Sequence, residues 1–137
     1  MVCLDTAFLV DVIKGRVKNE LDKMIENDVS FNIASPSIME LFKGLHLTSN
    51  LKHATSNEFS KIQDVLSSMA ILNLDKDSAI LAGKIEADLI NKGEIIEIED
   101  IMIGSICIVN HEGLLTKNIK HFEKMKEFGL KVVEYSS

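Results

Sequence analysis

The feature that most constrains this chain is the alternation, along its whole length, of short apolar runs with longer segments of helical period. Residues 2–4, 29–34, 70–74, 114–116 and 131–134 read as strands. A helix from about Ala7 runs through Lys14 and stops at Gly15, and a second covers 17–27 with Leu21, Met24 and Ile25 at helical spacing. Ser35-Pro36 opens a third that reaches 47, with the single proline in the first turn, where its missing N–H costs nothing. After a polar break at 48–50, an amphipathic helix spans 52–68 with Phe59, Ile62, Val65, Leu66 and Met69 on or beside its stripe. Asp75 caps another, which ends at Lys92-Gly93. Residues 101–109 are apolar nearly all round, as a buried helix requires, with Gly104 and Ser105 small enough for close packing, and 120–128 forms the last helix. Strands that alternate with helices make βαβ units, hence an α/β fold with a mainly parallel central sheet. Neither a repeat nor a linker interrupts residues 1–137, which therefore read as one domain.

In such a sheet, ligands bind beyond the carboxyl ends of the strands. Three acids stand where an apolar run gives way to a helix: Asp5 after Val2-Cys3-Leu4, Glu40 in Ser37-Ile38-Met39-Glu40-Leu41, and Asp100 ahead of Ile101-Met102-Ile103-Gly104. Each also has a plain structural reading. Asp5 suits the N-cap of the first helix. Ser37 to Glu40 matches a capping box, although Ser35-Pro36 starts the helix two residues earlier and leaves Glu40 about one turn in, free to point across the sheet edge. Asp100, with Glu97 and Glu99, complements a helix dipole, yet it also guards the start of a buried helix, where an unpaired carboxylate is costly. Two carboxylates brought to about 5 Å repel by about 3 kcal/mol at an effective dielectric near 20. A fold that gathers three needs a cation to offset this, or must keep one protonated. Oxygen-only ligands select Mg²⁺ or Mn²⁺ over zinc.

The bulk composition bounds the alternatives. With 46% hydrophobic and 26% charged residues the chain reads as globular, and it has no 18-residue apolar stretch and no leader-like start. Cys3 and Cys107, both in apolar surroundings, suit reduced thiols in a cytoplasmic protein rather than a disulfide framework. A formal charge of −6 argues against broad nonspecific nucleic-acid binding. It leaves room for a nuclease whose metal supplies positive charge at the site. Lys117, Lys120, Lys124, Lys126 and Lys131 crowd the last quarter, and a solvated helical face accounts for them better than a phosphate-binding strip.

Four segments together resemble PIN-domain ribonucleases, and most closely VapC-type toxins of toxin–antitoxin pairs. The opening Val2-Cys3-Leu4-Asp5-Thr6-Ala7-Phe8-Leu9-Val10-Asp11 is similar to their first strand and helix. Ser35 to Gly44, with Glu40-Leu41, resembles their second motif, and Glu99 to Ser105, with Asp100, their third. Leu114-Leu115-Thr116-Lys117-Asn118-Ile119-Lys120-His121-Phe122 looks like the fourth. The likeness spans essentially the whole chain, in order. It implies a three-layer α/β/α PIN-like fold, Mg²⁺ or Mn²⁺ held by Asp5, Glu40 and Asp100, and endonucleolytic cleavage of structured RNA such as tRNA or rRNA. It also implies that Thr6 and Thr116 orient the carboxylates or the attacking water, that the chain forms a homodimer, and that a cognate antitoxin silences it. Two positions depart from the pattern. Many relatives carry a fourth acid where Asn118 stands, and an aspartate where His121 stands, which puts tight binding of a second ion in doubt.

Other chemistries find less support. His46, His53, His111 and His121 show no paired metal spacing and suit surface or capping roles. No Gly-rich phosphate loop occurs. Two readings lack nuclease chemistry: a phosphate-accepting receiver domain, whose expected acid is missing after Asn32-Ile33-Ala34, and a silent PIN-fold binding module, which Asn118 keeps alive.

Overall fold

Strands β1 (Val2–Leu4), β2 (Phe31–Ala34), β3 (Ala70–Leu72), β4 (Gly113–Thr116) and β5 (Lys131–Glu134) pair edge to edge in a computed structural model that describes residues 1–47 and 56–135. Every pairing is parallel, in the order β3-β2-β1-β4-β5, so the sheet is wholly rather than mainly parallel. The chain works outward from β1 to β3, then returns to lay β4 on the other side of β1. That reversal puts a topological switch point between β1 and β4, where open parallel sheets bind ligands. The same order excludes the receiver reading, whose sheet runs 2-1-3-4-5.

Both faces of the sheet are covered, as the strand patterns require. Val2, Leu4, Ile33, Leu115 and Val133 point to one side, into a core with Phe8, Leu9, Val17, Leu41 and Ile62. Cys3, Ala34, Leu114 and Val132 point to the other, against Ile85, Leu89, Ile101, Ile103, Ile106 and Met125. The period-2 alternation of the strands thus builds two separate cores. Helices α1 (Thr6–Ile13), α3 (Ser35–His46) and α4 (Ser56–Ser68) contribute to the first layer, and α2 (Lys18–Glu26) lies beside them. Helices α5 (Lys76–Asn91), α6 (Ile98–Val109) and α7 (Ile119–Phe122), with a 3₁₀ turn at Glu123–Phe128, form the second. The α/β/α layering expected from the resemblance is therefore present.

Local chemistry sets the helix ends. Asp75 and Ser78 form a reciprocal capping box on α5. Gly93 (φ +73°) ends that helix, and Gly129 (φ +103°) takes the left-handed turn that leads into β5. A Cβ at Gly104 would collide with the Met125 thioether, so the small residue read in the sequence is what admits the neighbour. Ser105 spends its hydroxyl on the Ile101 carbonyl at 2.7 Å, which lets it lie in the core.

Some boundaries differ from the sequence reading. Helix α6 begins three residues earlier than 101, so Asp100 lies inside its first turn with Glu99. Acids there match the helix dipole. The stretch 120–128 is a short α-helix and then a 3₁₀ turn, not one helix. Strand β3 stops at Leu72, because Leu74 already donates its N–H to Ser35 Oγ (3.4 Å) and Asp75 turns to cap α5. The polar break at 48–50 and the start of the helix at 52–55 lie outside the described residues. Among those described, no helix is long and apolar enough to cross a membrane.

Candidate active site

The switch point supplies the framework. Asp5 is the first residue past β1, and its N–H donates to the Leu115 carbonyl of β4 at 3.2 Å, which fixes its backbone to the sheet. Its carboxylate is buried, 6% exposed, and is used twice. Oδ1 accepts the Phe8 N–H at 2.8 Å, which is the N-cap of α1. Oδ2 accepts the Thr116 hydroxyl at 2.5 Å, from the end of β4. The capping and site readings of Asp5 are therefore compatible, one oxygen to each. Thr116 Oγ1 in turn accepts the Asn118 N–H at 2.9 Å, so its one proton is directed at Asp5.

Glu40 lies in the second turn of α3, and no side chain caps that helix. It makes no capping box and instead reaches α1, where Thr6 Oγ1 donates to its Oε1 at 2.6 Å, with Ser37 Oγ 3.1 Å from the same hydroxyl. Asp100 Oδ2 lies 2.7 Å from Nε2 of His121 on α7.

All three acids hold their protons more tightly than usual. For Asp5 burial is the main cause; the Thr116 and Phe8 bonds oppose it, the charge of Asp100 adds to it, and Lys117 opposes. Glu40 is raised chiefly by burial, with Thr6 opposing and Asp100 and Glu99 adding. Asp100 is raised chiefly by burial as well, opposed by His121 and reinforced by Glu97 and Glu99. Asp100 is thus the acid whose charge both others feel, and mutual repulsion of this kind is what a bound cation would offset. The donor set is all carboxylate oxygen, which suits a hard divalent ion. Among the described residues, however, no three of His, Cys, Asp and Glu are close enough together to hold an ion as they stand. Each carboxylate is instead held by a protein donor: Thr116, Thr6 or His121.

Two residues behave differently from the sequence reading. His121, read as a surface or capping residue, is the partner of Asp100; its departure from the resembled motif just before Phe122 was the available signal. Asn118 exposes its side chain, which makes no capping bond, and its backbone N–H does the work by fixing Thr116. Of the lysine-rich quarter, Lys120 and Lys124 line a groove of about 500 Å³ with Lys92, where Glu94, Glu123 and Glu127 offset their charge. Cys3 and Cys107 are free, buried thiols.

A second cluster, beside the first, went unread. Asp11 of α1 is 6% exposed, and three groups converge on it. Arg16 Nη1 lies 3.5 Å from Oδ1, while Lys117 Nζ (3.4 Å) and the Tyr135 hydroxyl (3.3 Å) both donate to Oδ2. Tyr135 packs its ring edge-on against Phe8 at 4.2 Å, with Lys117 Nζ 5.8 Å from its ring centre. Its phenol is pushed up by burial first, then by the charges of Asp5 and Asp11.

Comparison with known proteins adds an independent line. The family model described as PIN domain matches residues 2–127. A VapC ribonuclease of Pyrococcus furiosus is 30% identical over 110 residues, covering 80% of this chain and 72% of the relative. Ribonuclease VapC1 of Methanocaldococcus jannaschii is 29% identical over 133 residues, 97% of this chain and 87% of that one. Among solved structures, VapBC2 from Rickettsia felis bound to a DNA fragment from its promoter superposes with a TM-score of 0.82 at 25% identity, covering 99% of this chain and 100% of that one.

Proposed function

Since the chain belongs to the PIN-domain family and, within it, to the VapC ribonucleases, we propose that it is a metal-dependent endoribonuclease, the toxin of a toxin–antitoxin pair, which cleaves structured RNA such as tRNA or rRNA. Asp5, Glu40 and Asp100 would hold Mg²⁺ or Mn²⁺, directly or through water, with Asn118 as an uncharged neighbour. When bound, the cation supplies Lewis acidity toward a water and a phosphate oxygen. The rest is done by the chain. Thr116 keeps Asp5 Oδ2 oriented, Thr6 does the same for Glu40 Oε1, and outer partners of this kind tune the groups they hold. Glu40, half-buried on α3, lies within the field of Asp100 and would complete the acidic set from that side of the sheet edge.

The observation that carries this reading is the Thr116–Asp5 bond across the switch point, made within the field of Asp100. The VapBC complexes among the structural relatives support a proteinaceous antitoxin as partner, and we extend the same reading to a homodimer working in the cytoplasm. One observation favours a second reading, a silent binding module: among the described residues the carboxylates are not gathered closely enough to hold an ion as they stand. A single experiment separates the two. Purified protein is incubated with total tRNA and rRNA in Mn²⁺ or EDTA, alongside Asp5→Asn. Cleavage that needs Mn²⁺ and Asp5 is expected. Unchanged cleavage by the variant removes Asp5 from the chemistry, and no cleavage by wild type favours the silent module. Expression of the chain alone should slow growth, and coexpression with its antitoxin should restore it.

A further inference from the structure

Resting on the ribonuclease reading, we propose that Lys117 is a contact for the RNA phosphate backbone beside Asp5, and that buried Asp11 and Tyr135 are the positioning residues that hold it there. A carboxylate as buried as Asp11 is costly unless paired. It takes two cations and a phenol from three separate places in the chain: Arg16 just past α1, Lys117 just past β4, and Tyr135 just past β5. Lys117 differs from Arg16 in where it stands. It follows Thr116, whose hydroxyl is bonded to Asp5, so the β4 register that builds the site also delivers this ammonium to its rim.

The ammonium has three N–H groups. Asp11 takes one, the Tyr135 ring lies beside it, and with the side chain 49% exposed the remainder faces solvent at the carboxyl edge. A lysine ordinarily loses much rotamer freedom when it grips a ligand. Here the stem is already tethered, so less freedom is lost when a phosphate arrives. The setting gives the charge its use, because the adjoining carboxylates would otherwise repel a polyanion. The competing account is that Lys117 merely neutralises Asp11. That account predicts a stability effect and no change in how RNA binding responds to salt.

The test measures kcat and KM for RNA cleavage in Mn²⁺ over a series of KCl concentrations. Lys117→Met should raise KM about tenfold at low salt, as expected for loss of a charge-assisted contact, with kcat changed by less than about twofold. The slope of log(1/KM) against log[KCl] should fall by about 0.7, the value for one phosphate of a single strand, or about 0.9 for a duplex. Lys117→Arg should restore both. Asp11→Asn should raise KM in wild type and have no further effect in the Lys117→Met background, since its role runs through the lysine. If Lys117→Met alone does not fold because Asp11, left with only Arg16 and Tyr135, is under-compensated, the double variant with Asp11→Asn, which removes both charges, carries the measurement. A lowered Tm in Lys117→Met with KM and slope unchanged overturns the proposal. Failure of wild type to cleave RNA at all overturns the ribonuclease reading, and this proposal with it.

Discussion

Asp5 and Glu112 are both buried carboxylates next to central strands, one just past the carboxyl end of β1 and the other just before the amino end of β4. Glu112 is met by the neutral side-chain amide of Asn32 from β2. Asp5 accepts two hydrogen bonds and still shares its field with a second acid, Asp100. Burial alone therefore does not mark a site. At the amino end a carboxylate is paired off and ties β2 to β4. At the carboxyl end a carboxylate is hydrogen-bonded and still feels a like charge, which costs stability while both are ionised.

Breaking that comparison starts with the largest effect. Asp100→Asn should lower RNA cleavage on the order of 10²–10³-fold, the scale for removing one group that stabilises developing charge, while the melting temperature holds or rises. A parallel loss of stability would make Asp100 a structural acid. The opposite end should do the reverse. Asn32→Ala leaves Glu112 buried without its donor and should cost about 1–3 kcal/mol in denaturant unfolding, with cleavage per folded molecule unchanged. Reduced turnover in folded Asn32→Ala would mean the two ends are coupled.

Smaller effects sharpen the same contrast. Thr116→Val removes the donor to Asp5 Oδ2 and should reduce cleavage about 10–100-fold, as for outer partners of a metal-binding carboxylate, and weaken Mn²⁺ binding measured by titration calorimetry. The pH response has a definite sign. Asp5, Glu40 and Asp100 have raised pKa values, so the folded state binds more protons than the unfolded one from the ordinary carboxylate range (3.8 for Asp, 4.5 for Glu) up to the raised values. Stability should therefore fall as pH rises through that window, and the full penalty remains above it. Ion-free wild type should gain Tm relative to Asp5→Asn as pH is lowered toward that range, and Mn²⁺ should raise Tm more at pH 7 than there. The contrary trend would mean the carboxylates are stabilised as anions. Least affected should be Lys92→Met, which removes an exposed pair with Glu127 and Asp88. It should leave both Tm and cleavage essentially unchanged.

What could be read in the chain follows from what is local. Short apolar runs, alternating only at 29–34, placed all five strands, Asp75 and Gly93 marked the ends of α5, and the acids at 5, 40 and 100 stood out because each lies where an apolar run gives way to a helix. Helix α6 was read three residues short, since its first turn is charged and hides the period of the apolar stretch behind it. Of the two readings of Glu40, the capping box is absent and the side chain reaches Thr6, a partner 34 residues away that no local pattern announces.

The amino-acid sequence by itself determined an α/β fold with a mainly parallel sheet, because strand and helix periods are written within a few residues; the three layers came with the family resemblance. Only the tertiary structure decided which side chain each acid meets. Thr116 reaches Asp5 across 111 residues, and Lys117 and Tyr135 reach Asp11 across 106 and 124. Those meetings depend on β4 returning beside β1 and β5 beside β4, and the order of strands is settled by the packing of the whole sheet.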